Sequence, residues 1–178
     1  MHPMHPTPPL HPETREVVLR LALAPHPEGG YYRETWRSPG LVSTPRGDRS
    51  ALTVIHYLLP AGAFSAFHRV HADEAWHHAG GDALELHVLS PGGEHAVHLL
   101  GPSDHPGAAP HAVVPAGAWQ AARPLGARHV LASCTVAPGF HFDDFEMARV
   151  EDLLALRPDL EPLLRALCQP GKHDPPGR

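Results

Sequence analysis

A chain of 178 residues is long enough to bury a core, and its net charge of −5, with no basic run, argues against nucleic acid or an anionic membrane surface as a partner. Its 22 prolines favour short strands and turns over long helices, while its 17 histidines are spread along the whole sequence. Two cysteines make no disulfide framework, no apolar run reaches the roughly 18 residues of a membrane span, and no secretory signal opens the chain, so a cytoplasmic protein is expected.

Residues 1–12 read as a flexible tail ending at Pro12, whose fixed φ suits the first turn of a helix. Val17, Val18 and Leu21 give that helix an apolar stripe, and Pro25 and Pro27 stop it. Glu28-Gly29-Gly30 reads as a turn. Tyr31 to Arg37 is then a strand, with Tyr31, Arg33 and Thr35 on one face and Tyr32, Glu34 and Trp36 on the other. Ser38 to Ser50 holds Pro, Gly and Asp and is expected to be a loop, a mobile lid beside a pocket. Ala51 to Leu59 is the next strand. Short strands follow at 65–70, 74–79, 83–89, 95–100, 111–114, 118–122 and 128–136, each bounded by Gly or Pro. Such spacing predicts an all-β, antiparallel, double-sheet jelly roll rather than a dinucleotide-binding fold. Cys134 falls in the last of these strands as a buried small hydrophobe. Glu146 to Leu156 is expected to be helical, and Leu160, Leu163, Leu164 and Leu167 form a second helix with an apolar face, covering the open end of the barrel or meeting a partner subunit. Both ends of the chain therefore place helices outside the sheets. Residues 13–170 form one domain in this reading, and 171–178 a second tail.

Gly62, His68, Glu74 and Gly81 have the spacing of a first cupin motif, and Pro115-Ala-Gly117 followed by Gln120 fits the second. Alternation puts His68 and Val70 inside the barrel and Arg69 and His71 outside. Glu74, Trp76 and His78 share the inner face of the next strand, and Gln120 points in from across the barrel. The blocks His26-Pro-Glu-Gly-Gly-Tyr-Tyr-Arg-Glu-Thr35 and Pro138-Gly-Phe-His-Phe-Asp-Asp-Phe-Glu146 flank these motifs. Together the four blocks resemble the DUF985 (Cupin_5) family from about Val18 to Ala148. The resemblance implies a double-stranded β-helix with a pocket in the barrel, a homodimer, and a kinship with sugar-nucleotide epimerases of the cupin superfamily. Tyr31 to Arg37 is the candidate strand for exchange between subunits.

Metal-binding cupins usually fill the four inner positions with His, His, Glu and His; here they are His68, Val70, Glu74 and Gln120. A divalent metal would rest on His68, Glu74 and Gln120, with His77 or His78 recruited. Without a metal, His68 and Glu74 form an acid/base pair, and Gln120 hydrogen-bonds a polar ligand. Tyr57, Trp76 and Trp119, wherever they face the lumen, offer flat surfaces, joined by His77 and His78 as ligand-binding candidates. Such a pocket suits a small polar ring, sugar- or nucleotide-like. The readings are an isomerase or epimerase using His68 and Glu74, a metal-dependent cupin enzyme, and a non-catalytic binding or sensing module. Phe140, Phe142 and Phe145 read as an apolar closure of the core rather than as pocket.

Overall fold

The computed structural model describes residues 10–169; most of both expected tails lies outside the described residues. Helix α1 (Pro12–Arg20) carries proline in its first turn and an acidic residue, Glu13, near its positive end. Thirteen strands follow: β1 (Ala24–Pro25), β2 (Tyr31–Arg37), β3 (Leu41–Thr44), β4 (Gly47–Ser50), β5 (Thr53–Leu59), β6 (Ser65–Val70), β7 (Asp73–Gly81), β8 (Leu84–Leu89), β9 (His95–Leu100), β10 (His111–Val114), β11 (Trp119–Pro124), β12 (Val130–Ala137) and β13 (Phe145–Met147). Eleven of them are sorted into a six-stranded sheet of order β1-β2-β5-β12-β7-β10 and a five-stranded sheet of order β13-β6-β11-β8-β9, while β3 and β4 pair with each other. From β5 onward the chain changes sheets after nearly every strand, and all strand pairs are antiparallel, as in a jelly roll.

The inner faces meet in a core that includes Tyr57, Trp76, Leu84, Leu86, Val114 and Val130. On the outer side of the five-stranded sheet, Phe67, Leu89, Trp119 and Ala121 pack against Leu153 of α2 (Val150–Leu156) and Leu164 and Leu167 of α3 (Glu161–Leu167). The leucine stripe of α3 therefore covers the back of a sheet, where the sequence suggested the barrel's open end or a partner. Most residues of β6 and β11 are buried, on both faces of the sheet.

Three other expectations change. The segment from Ser38 to Ser50 is a β3–β4 hairpin. Arg46 and Arg49 fasten it to the buried carboxylate of Asp144, through Nε bonds of 2.7 and 2.6 Å. Residues 145–147 extend the five-stranded sheet beside β6, so helix α2 starts only at Val150. In β2, a bulge at Thr35 shifts the register against β5. The bulge turns Trp36 outward, 57% exposed, and brings Arg37 to the inner side, where its guanidinium bonds Glu34 and the Phe140 carbonyl.

Leu164 is fully buried where α3 meets the five-stranded sheet. Leu164→Ala should lower unfolding free energy by about 2–5 kcal/mol, read from urea denaturation. A change below half a kcal/mol would mean that the helices are not packed as described.

Candidate functional site

The site begins in the turn between β1 and β2. Gly29 and Gly30 both have positive φ, +116° and +69°, and a β-carbon at Gly29 would strike the Phe64 carbonyl oxygen. That close approach lets the turn lie flat across β5 and β6. The Ala66 amide donates to the Glu28 carbonyl at 2.8 Å, and the Tyr57 hydroxyl donates to the Gly29 carbonyl at 2.7 Å. The Glu28 side chain then enters the barrel, 6% exposed. Its Oε1 accepts from the Ser65 hydroxyl at 2.9 Å, and its Oε2 lies 3.2 Å from His68 Nε2 and 3.4 Å from His26 Nδ1.

Proton positions follow from these partners. His68 Nδ1 is 2.8 Å from the Ala66 carbonyl oxygen, which can only accept, so Nδ1 carries a proton. Nε2 faces the Glu28 carboxylate, so both ring nitrogens of His68 are engaged within the protein. His26 Nδ1 accepts the Glu28 amide at 3.3 Å, which leaves its proton on Nε2. Burial holds the pKa of His26 below its usual value despite the nearby Glu28 charge. For Glu28, burial acts upward, but His68, His26 and the Ser65 and Tyr57 hydroxyls outweigh it and hold the carboxyl below its ordinary value.

The second carboxyl is handled differently. The indole N–H of Trp76 on β7 donates to Gln120 Oε1 on β11 at 2.8 Å. An indole can only donate, so the amide orientation is fixed and Gln120 Nε2 donates to Glu74 Oε2 at 2.6 Å. The three side chains cross the barrel and return. Gln120 is also the register partner of His68, which sets the two carboxyl sites side by side. Burial lifts the Glu74 carboxyl from 4.5 to about 7, aided by the Glu28 charge and opposed by His68, Gln120 and Cys134.

Glu28, His68 and Glu74 line a cavity of about 590 Å³. Its walls include Tyr32, Ile55, Val70, Trp76 and Val136, and Arg37, Phe140, His141 and Phe142 lie toward the rim. Phe140, Phe142 and Phe145 all line it, packed edge to face on one another, so the cluster expected to be core is pocket wall.

The family model described as the Cupin superfamily (DUF985) matches residues 15–148. The chain belongs to this cupin family. A crystal structure from Shewanella oneidensis is 35% identical to it, with a TM-score of 0.80 over 88% of this chain and 97% of that one. A hypothetical protein from Leishmania major is 33% identical, with a TM-score of 0.80 over 86% and 97%. A variant of oxalate decarboxylase from B. subtilis shares the fold at 16% identity, with a TM-score of 0.52 over 84% of this chain and 38% of that one. Comparison with curated proteins finds no match.

Against this cupin barrel the sequence candidates divide clearly. His68, Glu74, Tyr57 and Trp76 line the cavity, with Val70 beside them. Gln120 lies behind it, both ends of its amide spent on Trp76 and Glu74. Trp119, one residue earlier, faces the α2–α3 layer with Arg69 stacked 4.5 Å over its ring. His77 is on the outer face of its strand. His78 keeps the parity of Glu74 and Trp76, but its Nε2 is tied to the Asp82 carbonyl at 3.0 Å, away from the cavity. The proposed ligand set of His68, Glu74 and Gln120 does not fit a metal. Gln120 presents an N–H where an oxygen would be needed, and among the described residues no group of three His, Cys, Asp or Glu side chains converges for one.

Sequence reasoning missed Glu28 and His26 as site residues, because a turn has no periodicity to say where its side chains point. The available signal was the pair of glycines directly after Glu28, which lets a backbone approach a neighbouring strand closely.

The raised pKa makes a pH test available. The unfolded chain releases the Glu74 proton near 4.5, while the folded protein holds it to about 7, so this group withdraws stability as pH rises between those values. Glu74→Gln removes that loss and keeps an acceptor for Gln120. Between about pH 4 and pH 8, the stability difference should move in the variant's favour by on the order of 3 kcal/mol. Equal differences at both pH values, from denaturant titration, would show an ordinary carboxylate.

Proposed function

We propose that this cupin binds a small polar metabolite with a sugar-like ring and catalyses a proton transfer on it, an isomerisation or epimerisation. The carrying observation is that one cavity holds two buried carboxyl groups with different partners, Glu28 held below its ordinary pKa and Glu74 raised to about 7. Glu28, backed by His68, is the base, and Glu74, held by Gln120, is the acid. Glu28 takes a proton from carbon next to a substrate carbonyl, and Glu74 gives one to the carbonyl oxygen, so an enol forms with no net change in protons. Returning the proton to the neighbouring carbon, while Glu74 takes back the proton of the hydroxyl that becomes the new carbonyl, completes an isomerisation and restores both carboxyls; returning it to the opposite face of the same carbon would need a donor on that side. In this scheme His68 is a positioning residue, since neither of its ring nitrogens is open to a ligand.

The working form is proposed to be a homodimer in the cytoplasm. Trp36, Leu41 and Val42 are exposed, and among the described residues those of β2 beyond Tyr32 have no partner strand on the β1 side. Light scattering at micromolar concentration should give twice the chain mass, and Trp36→Asp should shift it toward one chain. A monomeric parent would remove the dimer.

The reaction is tested in deuterated water with a panel of aldoses, ketoses and their phosphates. Proton NMR should show exchange at a carbon next to a carbonyl for at least one of them. Glu28→Gln and Glu74→Gln should each slow that exchange by about 10²–10⁴-fold. Exchange that survives both substitutions unchanged would overturn the assignment, and binding without exchange would make the barrel a binding module.

A further inference from the structure

We propose that His77 and His111 form a two-histidine site for a divalent transition-metal ion on the outer face of the six-stranded sheet, separate from the barrel cavity. The two residues are directly opposite one another on the antiparallel strands β7 and β10. The next pair along contains the hydrogen bond, with the His78 amide donating to the Pro110 carbonyl at 2.8 Å. His77 and His111 are therefore a non-hydrogen-bonded pair, the arrangement in which opposed α-carbons approach to about 4.5 Å and side chains lie closest. Both residues are exposed, and their rings lie 5.7 Å apart at their centres and 27° from parallel.

Neither ring makes a hydrogen bond among the described residues, in contrast to His78 beside them, whose Nε2 is committed to Asp82. Two free imidazoles held this close on paired strands are a chelate, needing only side-chain rotation to bring a nitrogen from each within about 2.0–2.1 Å of one ion. Same-face neighbours leave room for that rotation, since Ala75 and Val113 occupy the next row. Imidazole donors without a carboxylate suit copper, nickel and zinc rather than magnesium or calcium. The row of register partners continues through Ser133 and His56 to Arg33. His56 is two strands from His77, roughly 9–10 Å by strand spacing, so it lies outside the chelate and serves as a control. An ion held here clamps β10, a four-residue edge strand that among the described residues pairs only with β7, onto the strand that carries Glu74 and Trp76.

The test uses the full chain without an affinity tag, because His2 and His5 are competing ligands. Copper(II) is titrated and followed by paramagnetic broadening in amide NMR, and nickel(II) by calorimetry. Broadening should centre on residues 75–79 and 110–113 at up to one equivalent. His77→Ala and His111→Ala should each weaken that event by about a hundredfold, the loss expected when a chelate becomes a single arm, while His56→Ala leaves it unchanged. Circular dichroism on these exposed-site variants checks that they fold, and the broadening pattern of the parent stands without them. Broadening confined to the N-terminal residues or to the residues around His68, or affinity unchanged in both variants, overturns the site.

Discussion

Two carboxyl groups, Glu28 and Glu74, lie inside a barrel whose walls are mostly apolar, and burying a carboxylate there costs several kcal/mol unless partners compensate it. The two are compensated differently, and much of the architecture serves that difference. Glu28 faces the His68 imidazole and accepts from the Ser65 hydroxyl, and its carboxyl is held below its ordinary value despite burial. Glu74 has an amide N–H as its direct donor and lies near a second carboxylate, so burial prevails and it retains its proton to about neutral pH. The chain from Trp76 through Gln120 to Glu74 ties one sheet to the other. The same contacts therefore close the barrel and set the protonation of the site.

The two sheets are supported unequally. Behind β6 and β11 lie α2 and α3, with Leu153, Leu164 and Leu167 pressed on Phe67 and Trp119. His68 and Gln120 therefore project from strands packed on both faces, which fixes the imidazole and the amide more tightly than a solvated sheet would. The six-stranded sheet instead alternates buried and exposed residues along β7 and leaves a polar row, which includes His77 and His111, on its outer face.

Period-two alternation made the barrel's interior readable. His68, Val70, Glu74 and Gln120 could be placed inward from spacing alone, because a jelly roll leaves strand residues only two faces. Several details had no such signal. Nothing in Glu34-Thr35-Trp36 announces a bulge, yet that one extra residue exchanges the faces of Trp36 and Arg37. The hairpin within Ser38 to Ser50 depends on Arg46 and Arg49 reaching Asp144, more than ninety residues away. The role of Gln120 depends on an indole donor 44 residues distant, which decides whether the amide offers oxygen or nitrogen to Glu74. Glu28 was visible as a turn residue but not as a buried anion, since its direction is set by where the glycine turn docks on β6.

Counting protons shows which ligands the floor of the cavity favours. Glu28 already faces the His68 imidazole and accepts from the Ser65 hydroxyl. Glu74 adds no charge while it is protonated, so below about pH 7 the carboxylate on this floor is the one that already has partners. A neutral hydroxyl or carbonyl group of a ring can dock there without leaving a charge uncompensated. Once Glu74 ionises, the floor gains a negative charge, and an anionic group placed against it is repelled in a setting that screens charge poorly. The floor thus suits an uncharged group better than an anionic one, and at the rim the Arg37 guanidinium is already paired with the Glu34 carboxylate.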